Sequence, residues 1–176
     1  MLKEFFSICD KLNFSNKKLL VAVSGGVDSM VLCFLLKKLN LDFSIAHVNY
    51  NLRGNDSHLD QKFISEYSNK NQIDLFLKSV DLSKKINSIQ NRAREIRYSF
   101  FNEILSKYNF DFILTAHHLD DNIETIFLNI SRGKKISVFS GMNVVNESIV
   151  KPLLFIEKKD IINYAKQNNV LWREDR

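Results

Sequence analysis

The segment Leu19–Ser29 reads LLVAVSGGVDS, and it decides the fold of this 176-residue chain. Its first five residues form a short apolar run that is typical of a buried strand. After the two glycines, a second apolar run from Met30 to Leu39 predicts a helix. Gly25 and Gly26 allow a tight turn, and the first turn of a helix presents unpaired N–H groups there. A strand, a glycine turn and a helix in this order are typical of a phosphate-binding loop.

The loop also contains a carboxylate, Asp28, which would repel a phosphate unless a cation lay between them. A Mg²⁺ ion that bridges Asp28 and the phosphate oxygens resolves this conflict, and the hydroxyls of Ser24 and Ser29 can act as further donors. The alternative is a plain glycine turn in which Asp28 or Ser29 caps the helix. Six defined positions in a strand–loop–helix context favour the phosphate loop. The GKS/T ending of a Walker A motif and the GxGxxG of dinucleotide folds are both missing.

Further strands and helices alternate along the chain. The apolar pattern predicts strands at 43–48, 75–80 and 112–116, a weaker one near residue 149, and helices at 56–69, 88–108, 120–131 and 156–167. For the helix 56–69 we expect an inward face of Leu59, Phe63 and Tyr67. For the helix 120–131 we expect an inward face of Ile123, Ile126, Phe127 and Ile130. The alternation predicts an α/β fold, an open doubly wound parallel sheet of about five strands with helices on both faces. Any ligand should then lie along one edge of the sheet.

Composition places the chain among intracellular globular proteins. The hydrophobic content of 45% is sufficient for a full core, and the two cysteines are not spaced as a CxxC pair. We therefore expect buried thiols in a reducing compartment. No signal peptide or run of about 18 apolar residues is present, so we expect no membrane association and a cytoplasmic location, with an organelle stroma or matrix left open. A net charge of +5 favours a polyanionic partner.

The loop Ser24–Ser29 resembles the PP-loop of the ATP pyrophosphatases, which have the adenine nucleotide alpha hydrolase-like fold and cleave ATP between the α- and β-phosphates. This resemblance implies that the loop residues bind ATP: Ser24, Gly25, Gly26, Val27, Asp28 and Ser29. GMP synthetase, NAD synthetase, asparagine synthetase and several tRNA-modifying enzymes share the loop. It therefore indicates the type of reaction and leaves the substrate open.

A second block, HVNYNLRG at residues 47–54, is similar to the HVNHGLRG segment of tRNA(Ile)-lysidine synthetase. Tyr50 and Asn51 replace the usual His and Gly. Taken singly, these residues are ordinary polar groups at a strand end. The resemblance implies that His47 and Arg53 bind substrate.

A third block lies on the long helix, where four residues share one face: Gln90, Arg94, Arg97 and Phe101. Two arginines one turn apart can clamp a phosphate or a base edge. The alternative is a solvated charged face with Glu95 as a partner. The string IQNRAREIRY at residues 89–98 is similar to the family segment IEEAARxxRY, which favours catalytic roles for the arginines. The resemblance also implies that Gln90 binds substrate, although it replaces the usual Glu and so removes a possible carboxylate partner for a lysine substrate.

A fourth block, TAHHLDDNIET at residues 115–125, follows a strand and opens a helix. Its histidines and aspartates could suggest a metal hydrolase, but no HExxH motif or distant set of ligands completes a zinc site. We expect Asp120 to cap the helix. The string matches the lysidine synthetase motif AHHxDDxxET. That resemblance implies that Asp121 holds Mg²⁺ together with Asp28 and that His117 binds substrate.

The remaining blocks occur in the order found in the family. Arg132 and Gly133, with GM at residues 141–142, resemble RGxxxxxLxGM, and KPLL at residues 151–154 resembles RPLL with Lys151 in place of Arg. WRED at residues 172–175 resembles the start of WxEDxSN. The resemblance implies that Arg132 and Lys151 contact substrate.

Together the blocks imply a catalytic domain of tRNA(Ile)-lysidine synthetase over residues 1–176, without the C-terminal helical and tRNA-binding regions usual in the family. Such an enzyme would use ATP and Mg²⁺ to adenylate the wobble cytidine of a tRNA(Ile) with a CAU anticodon. Free L-lysine would then attack, releasing AMP and pyrophosphate. A homodimer is left open. Two rival interpretations are a thiolase-like PP-loop enzyme, although this chain has no paired cysteines, and a truncated remnant that binds ATP or RNA without turnover.

Overall fold

The computed structural model describes residues 2–82, 89–131 and 141–174. In these ranges the strands are β1 (Leu19–Ala22), β2 (Phe43–Asn49), β3 (Leu75–Ser79), β4 (Phe112–Leu114), β5 (Val145–Asn146) and β6 (Ile149–Val150). The α-helices are α1 (Leu2–Lys11), α2 (Val27–Lys38), α3 (Asn55–Asn71), α4 (Ile89–Tyr108), α5 (Leu119–Ser131) and α6 (Lys158–Gln167). Within the same ranges, no helix combines the length and the apolar content needed to cross a lipid bilayer.

The strands form one sheet in the order β3-β2-β1-β4-β6-β5. All neighbouring pairs are parallel except β5 and β6, which are antiparallel. The doubly wound α/β prediction is confirmed, and the described sheet exceeds the expected five strands by the two-residue strand β5. The chain proceeds from β1 to β2 and β3 on one side and returns to place β4 on the other side of β1. A topological switch point therefore lies between β1 and β4, where open α/β sheets bind their ligands.

Helices cover both faces of the sheet, as the sequence predicts. Alternate strand residues point to opposite faces. One face contributes Leu19, Val21, Ile45 and Leu114 to a core shared with α1, α2, α3 and α6. The opposite face contributes Leu20, Ala46 and Ile113 to a core that is completed by Phe100, Phe101 and Ile104 of α4.

Helix α2, which follows the glycine loop, is buried almost all around its circumference. Its buried side chains include Val27, Met30, Val31, Leu32, Cys33, Leu35 and Leu36. It lies between the sheet and α6, so it needs no polar face over most of its length. Full burial of a large apolar side chain contributes about 1.5–3 kcal/mol relative to exposure. This packing fixes the helix start, and with it the loop, relative to the strand ends.

The expected inward face of α3 is wrong by one residue. The buried positions are Asp60, Ile64 and Ser68, whereas Leu59 is exposed. Phe63 and Tyr67 pack only partly against the core. The helix is rotated because Asp60 turns inward to bind two arginines from other segments, which periodicity alone does not reveal.

The expected inward face of α5 is also wrong. Ile123, Phe127 and Ile130 are exposed among the described residues, and Phe127 reaches 66% exposure. The buried residue of this helix is Asn122, whose side-chain Oδ1 accepts the backbone N–H of Met142 at 2.6 Å. Asn122 thus contributes a buried polar contact where the sequence pattern predicted an apolar stripe.

Gly141 lies against this contact and has the positive φ of +68° that favours glycine. A Cβ at this position would collide with Oδ1 of Asn122 and would lie 3.1 Å from Cδ1 of Ile126. Residue 141 must therefore remain small if Asn122 is to hold the segment that leads into β5.

We expect Gly141→Ala to lower the free energy of unfolding by about 2–4 kcal/mol, because it adds backbone strain and breaks a buried hydrogen bond. Urea denaturation followed by circular dichroism measures this change. The same substitution in an Asn122→Ala background should lower the free energy of unfolding clearly less, because the oxygen with which the new Cβ would collide is absent. An equal cost in the two backgrounds would show that the collision is not the cause.

Candidate active site

A cavity of about 420 Å³ opens at the carboxyl ends of β1, β2 and β4, beside the switch point. Its volume is in the range of small-molecule sites. Eight of the residues predicted to act in the site contribute to its wall: Ser24, Asp28, Ser29, His47, Arg53, Arg97, His117 and Asp121. Four separate sequence blocks therefore meet at one place.

The glycine loop is held by its own short-range hydrogen bonds. Ser29 Oγ donates to the carbonyl of Gly26 at 2.9 Å, and Ser24 Oγ accepts the N–H of Gly26 at 3.3 Å. Gly26 is the N-cap of α2, so no side chain at that position takes up the N–H groups of the first helical turn. Those groups and the positive end of the helix dipole suit an anion such as a phosphate.

The backbone of Gly25 is anchored from the far end of the chain. Gly25 has φ +94°, and its carbonyl accepts the N–H of Arg173 at 3.0 Å. The side chain of Arg173 binds Asp60 through Nε at 2.5 Å, and Arg53 binds the other oxygen of Asp60 at 2.8 Å. Asp60 and Arg173 are functional neighbours that the sequence interpretation did not identify, because they lie 113 residues apart.

Asp28 carries an ion pair that the sequence interpretation also missed. Lys158 Nζ lies 2.6 Å from Oδ1 and 2.5 Å from Oδ2 of this carboxylate. Lys158 is the first residue of α6, and both side chains are only partly exposed. The sole sequence feature that could have pointed to this ion pair is a lysine in the first turn of a helix, where acidic residues are preferred.

Asp28 and Asp121 face a common point. His118 Nε2 lies 3.9 Å from Asp28 Oδ1 and 3.5 Å from Asp121 Oδ2. The structure thus brings together the two carboxylates that the sequence assigned to a metal, from the first turns of α2 and α5.

The start of α5 is capped by Asp121, so the expectation that Asp120 caps it is wrong. Oδ2 of Asp121 accepts the N–H of His118 at 2.9 Å, in the manner of the third residue of a capping box. Asp120 Oδ1 instead lies 3.5 Å from the N–H of Lys158, at the start of α6.

The donor set fits a magnesium ion that arrives with a polyphosphate. Within the described ranges, no group of three or more His, Cys, Asp or Glu side chains could hold a metal on its own. Mg²⁺ commonly takes only one or two carboxylates and completes its octahedron with water and substrate phosphates. Asp28 and Asp121 would supply those carboxylates, and the loop Ser24–Ser29 would place phosphates next to them.

Arg97 is fixed in the cavity wall by Tyr50, one of the two departures from the family segment. Arg97 Nε donates to Tyr50 Oη at 3.1 Å, and Tyr50 Oη donates to the carbonyl of Ala93 at 3.0 Å. The tyrosine therefore links the end of β2 to α4. Arg94 lies outside the cavity wall, with its guanidinium 4.8 Å from the ring centre of Tyr98.

His117 is surrounded by positive charge. Its Nδ1 lies 2.8 Å from Thr115 Oγ1. Burial lowers the pKa of His117 most, and nearby Asp121 opposes this effect. Three cations add to the lowering: Lys151, Arg94 and Arg97. The imidazole is thus held neutral near pH 7, and the surrounding cations suit an anionic partner such as RNA.

The other predicted substrate contacts lie further away. Lys151 is buried directly after β6, where Nζ donates to the carbonyl of Asn143 at 3.1 Å. Burial and Arg94 lower the pKa of Lys151. Gln90 is exposed near the start of α4, and neither residue belongs to the cavity wall. Arg132 lies outside the described residues.

His47 ties β2 to the strand end that precedes the loop. Its Nδ1 lies 2.8 Å from the carbonyl of Val23 and must carry a proton to donate to it. Burial lowers the pKa of His47, and the Val23 carbonyl and Asp60 oppose this only in part. The folded protein therefore resists protonation of this ring.

We expect His47 to make the free energy of unfolding fall as the pH drops from 7.5 to 5.5. The unfolded chain takes up a proton near the ordinary histidine pKa of about 6.5, whereas folded His47 does so only at lower pH. In His47→Asn, whose amide can still donate to Val23, the fall should be smaller by about 1 kcal/mol. Urea denaturation at several pH values measures it. His58→Asn, at an exposed position of α3, should keep the wild-type slope, and an unchanged slope in His47→Asn would refute the assignment.

Comparison with known proteins agrees with this geometry. A family model described as the PP-loop domain matches residues 2–176. The tRNA(Ile)-lysidine synthase of Chlorobaculum tepidum is 35% identical over 173 residues, which cover 94% of this chain and 52% of that protein. Those of Clostridium tetani and Petrotoga mobilis are 37% and 35% identical over 94% and 99% of this chain. The matches cover 38% and 59% of those two proteins, so the chain spans about half the length of these relatives.

Solved structures share the fold at low sequence identity. The U34-tRNA thiolase NcsA from Methanococcus maripaludis is 17% identical and superimposes with a TM-score of 0.83, covering 99% of this chain and 65% of that one. The NMN synthetase from Francisella tularensis is also 17% identical, with a TM-score of 0.63 and coverage of 96% and 68%. Because the family model covers nearly every residue and the phosphate loop has the required strand–loop–helix geometry, this chain belongs to the PP-loop domain family.

Proposed function

We propose that this chain is the catalytic domain of a tRNA(Ile)-lysidine synthase. It would use ATP to adenylate the wobble cytidine of a tRNA(Ile) with a CAU anticodon and then join free L-lysine to that base. The observation that carries the proposal is the meeting of Asp28 and Asp121 beside the glycine loop, in a PP-loop domain whose similar relatives are named tRNA(Ile)-lysidine synthase.

The proposed chemistry has two steps. A ring carbonyl oxygen of the cytidine attacks the α-phosphorus of ATP, the bond to the β-phosphate breaks and pyrophosphate leaves. The ε-amine of lysine then attacks the activated ring carbon, loses a proton, and AMP departs with the oxygen. No nucleophile from the protein is needed, because the substrate lysine has that role.

The residues of the cavity match the demands of these steps. The loop Ser24–Ser29 and the start of α2 hold the phosphates, where negative charge develops as pyrophosphate leaves. Asp28 and Asp121 would hold Mg²⁺, which neutralises phosphate charge when bound. Arg97, fixed by Tyr50, offers a guanidinium to a phosphate or a base edge. His117, neutral near pH 7, has one nitrogen that can donate and one that can accept a hydrogen bond from the substrate.

A thiolase mechanism that depends on paired cysteines is not supported. Both cysteines of the chain, Cys9 and Cys33, are buried in the larger core, and neither lines the cavity. Burial raises the pKa of Cys9 to about 12 and raises that of Cys33 further. Neither can supply a thiolate at neutral pH. The likeness to the NcsA thiolase therefore extends to the fold alone.

The decisive experiment mixes the chain with ATP, Mg²⁺, labelled lysine and a tRNA(Ile) transcript with a CAU anticodon. We expect label in the RNA that depends on ATP, and none with a GAU anticodon. ATP binding without incorporation would instead indicate a remnant that binds without turnover.

Incorporation in a soluble bacterial extract fraction would support the cytoplasmic location. Sedimentation analysis would decide between a monomer and a homodimer.

Asp28→Asn and Asp121→Asn should each lower the rate of lysine incorporation by about 100-fold or more, because each removes a carboxylate from the proposed metal site. The measurement is the initial rate of labelling at saturating ATP and Mg²⁺. Glu66→Gln removes a carboxylate from an exposed pair on α3 and should keep the wild-type rate. Wild-type rates in either aspartate variant would contradict the assigned metal ligands.

A further inference from the structure

We propose that Lys158 is a binding residue for the ATP phosphates, held on Asp28 until the nucleotide and its metal ion arrive. In the nucleotide-free protein the ammonium neutralises the carboxylate. When the metal ion takes over Asp28, the ammonium moves to the phosphates. The inference rests on the proposed use of ATP and Mg²⁺ at this site, and it adds a residue that none of the sequence motifs marks.

The contact between Lys158 and Asp28 is a close charge pair. Both carboxylate oxygens lie within 2.6 Å of Nζ, and the Asp28 side chain is 24% exposed. Lys158 thus occupies the carboxylate surface that a metal ion would need. A metal ion bound to Asp28 would compete with the ammonium for these oxygens and would repel it at such short range.

Helix stability does not explain a lysine at this position. Lys158 and Lys159 are the first two residues of α6, at the positive end of the helix dipole, where cations are unfavourable. The two lysines have different surroundings. Lys159 is mostly exposed and pairs with Glu157, whereas Lys158 reaches across to α2. Lys159 therefore provides a control on the same turn of the same helix.

Three helix starts meet around Asp28. Asp28 lies in the first turn of α2, and α6 is joined to α5 by the N–H of Leu119, which donates to the carbonyl of Ile156 at 2.9 Å. Between them lies His118, which is buried, with Nε2 near both carboxylates and with Nδ1 unpartnered in the described part of the chain. The starts of these helices favour an anion, and the flexible stem of Lys158 can reach one there without backbone movement.

Charge determines where the ammonium goes. Asp28 and Asp121 would repel a polyphosphate, and a metal ion bound to them removes this repulsion. The same ion repels the ammonium of Lys158 from Asp28. Phosphates in the loop Ser24–Ser29 would then offer the displaced ammonium more negative charge than Asp120, whose Oδ1 lies 3.5 Å from the backbone N–H of Lys158. Lys158 should therefore strengthen ATP binding mainly when the metal ion is present.

Calorimetric titration of a non-hydrolysable ATP analogue in the presence of Mg²⁺ tests this assignment. We expect Lys158→Met to weaken binding by about tenfold or more, as for loss of a charge-assisted hydrogen bond. Lys158→Arg should stay within about threefold of the wild type, because the charge is kept. Lys159→Met should bind as the wild type does. Equal affinities in the wild type and Lys158→Met, with Mg²⁺ present, would overturn the inference.

A second titration in EDTA separates phosphate binding from a purely structural role. Without the metal ion, Lys158→Met should differ little from the wild type, because Asp28 still holds the ammonium in the wild type. The substitution Asp28→Asn releases the ammonium of Lys158. This variant should therefore bind the analogue more tightly than the wild type does. This gain should vanish in Asp28→Asn combined with Lys158→Met, and a gain that persists would overturn the inference.

The two proposals fail in different ways. If the wild type binds no nucleotide with Mg²⁺, the proposed function itself is wrong. If it binds and Lys158→Met follows the wild type, only the role of Lys158 is wrong. If Lys158→Met does not fold by circular dichroism, the titration of Asp28→Asn in EDTA decides. A metal-free affinity of Asp28→Asn no higher than that of the wild type then overturns the role of Lys158.

Discussion

The charge of Asp28 is the constraint on which the rest of the site depends. A carboxylate in the first turn of α2 is favoured by the helix dipole, but it stands where the glycine loop would receive a phosphate. A cation must therefore lie next to it whenever a polyphosphate is bound. In the structure Lys158 neutralises Asp28. Asp121 lies close by, because His118 Nε2 is near both carboxylates. These neighbours place both a positive and a second negative group next to Asp28.

The sheet order makes this arrangement possible. Because the chain reverses between β1 and β4, the loops that follow these strands diverge and leave a crevice at the carboxyl edge. Asp28 and Asp121 lie in the first turns of the helices that follow these two loops. The buried helix α2 and its packing against α6 then fix how far Lys158 lies from the loop. The site geometry is thus a consequence of core packing as much as of the motifs.

The sequence predicted those features that depend on neighbouring residues. The strand, glycine turn and helix around Leu19–Ser29 are local, and so is the block at residues 115–125. The sequence-based predictions were wrong where distant residues determine the outcome. Asp60 is one such case, because it is buried in contact with Arg53 and Arg173. The partner of Asp28 is 130 residues away, and no periodicity identifies such a contact. The strands β5 and β6 have two residues each, too few for an alternating pattern.

The phosphate loop is also less independent than its sequence suggests. Gly25 is buried with φ at +94°, and a buried carbonyl without a partner would cost about 1–3 kcal/mol. The N–H of Arg173 satisfies it, and the side chain of Arg173 is in turn held by Asp60 of α3. Asp60 binds Arg53, which belongs to the cavity wall. One carboxylate therefore connects the loop, the segment after β2 and the segment after α6, so the position of the glycine loop depends on residues from three distant parts of the chain.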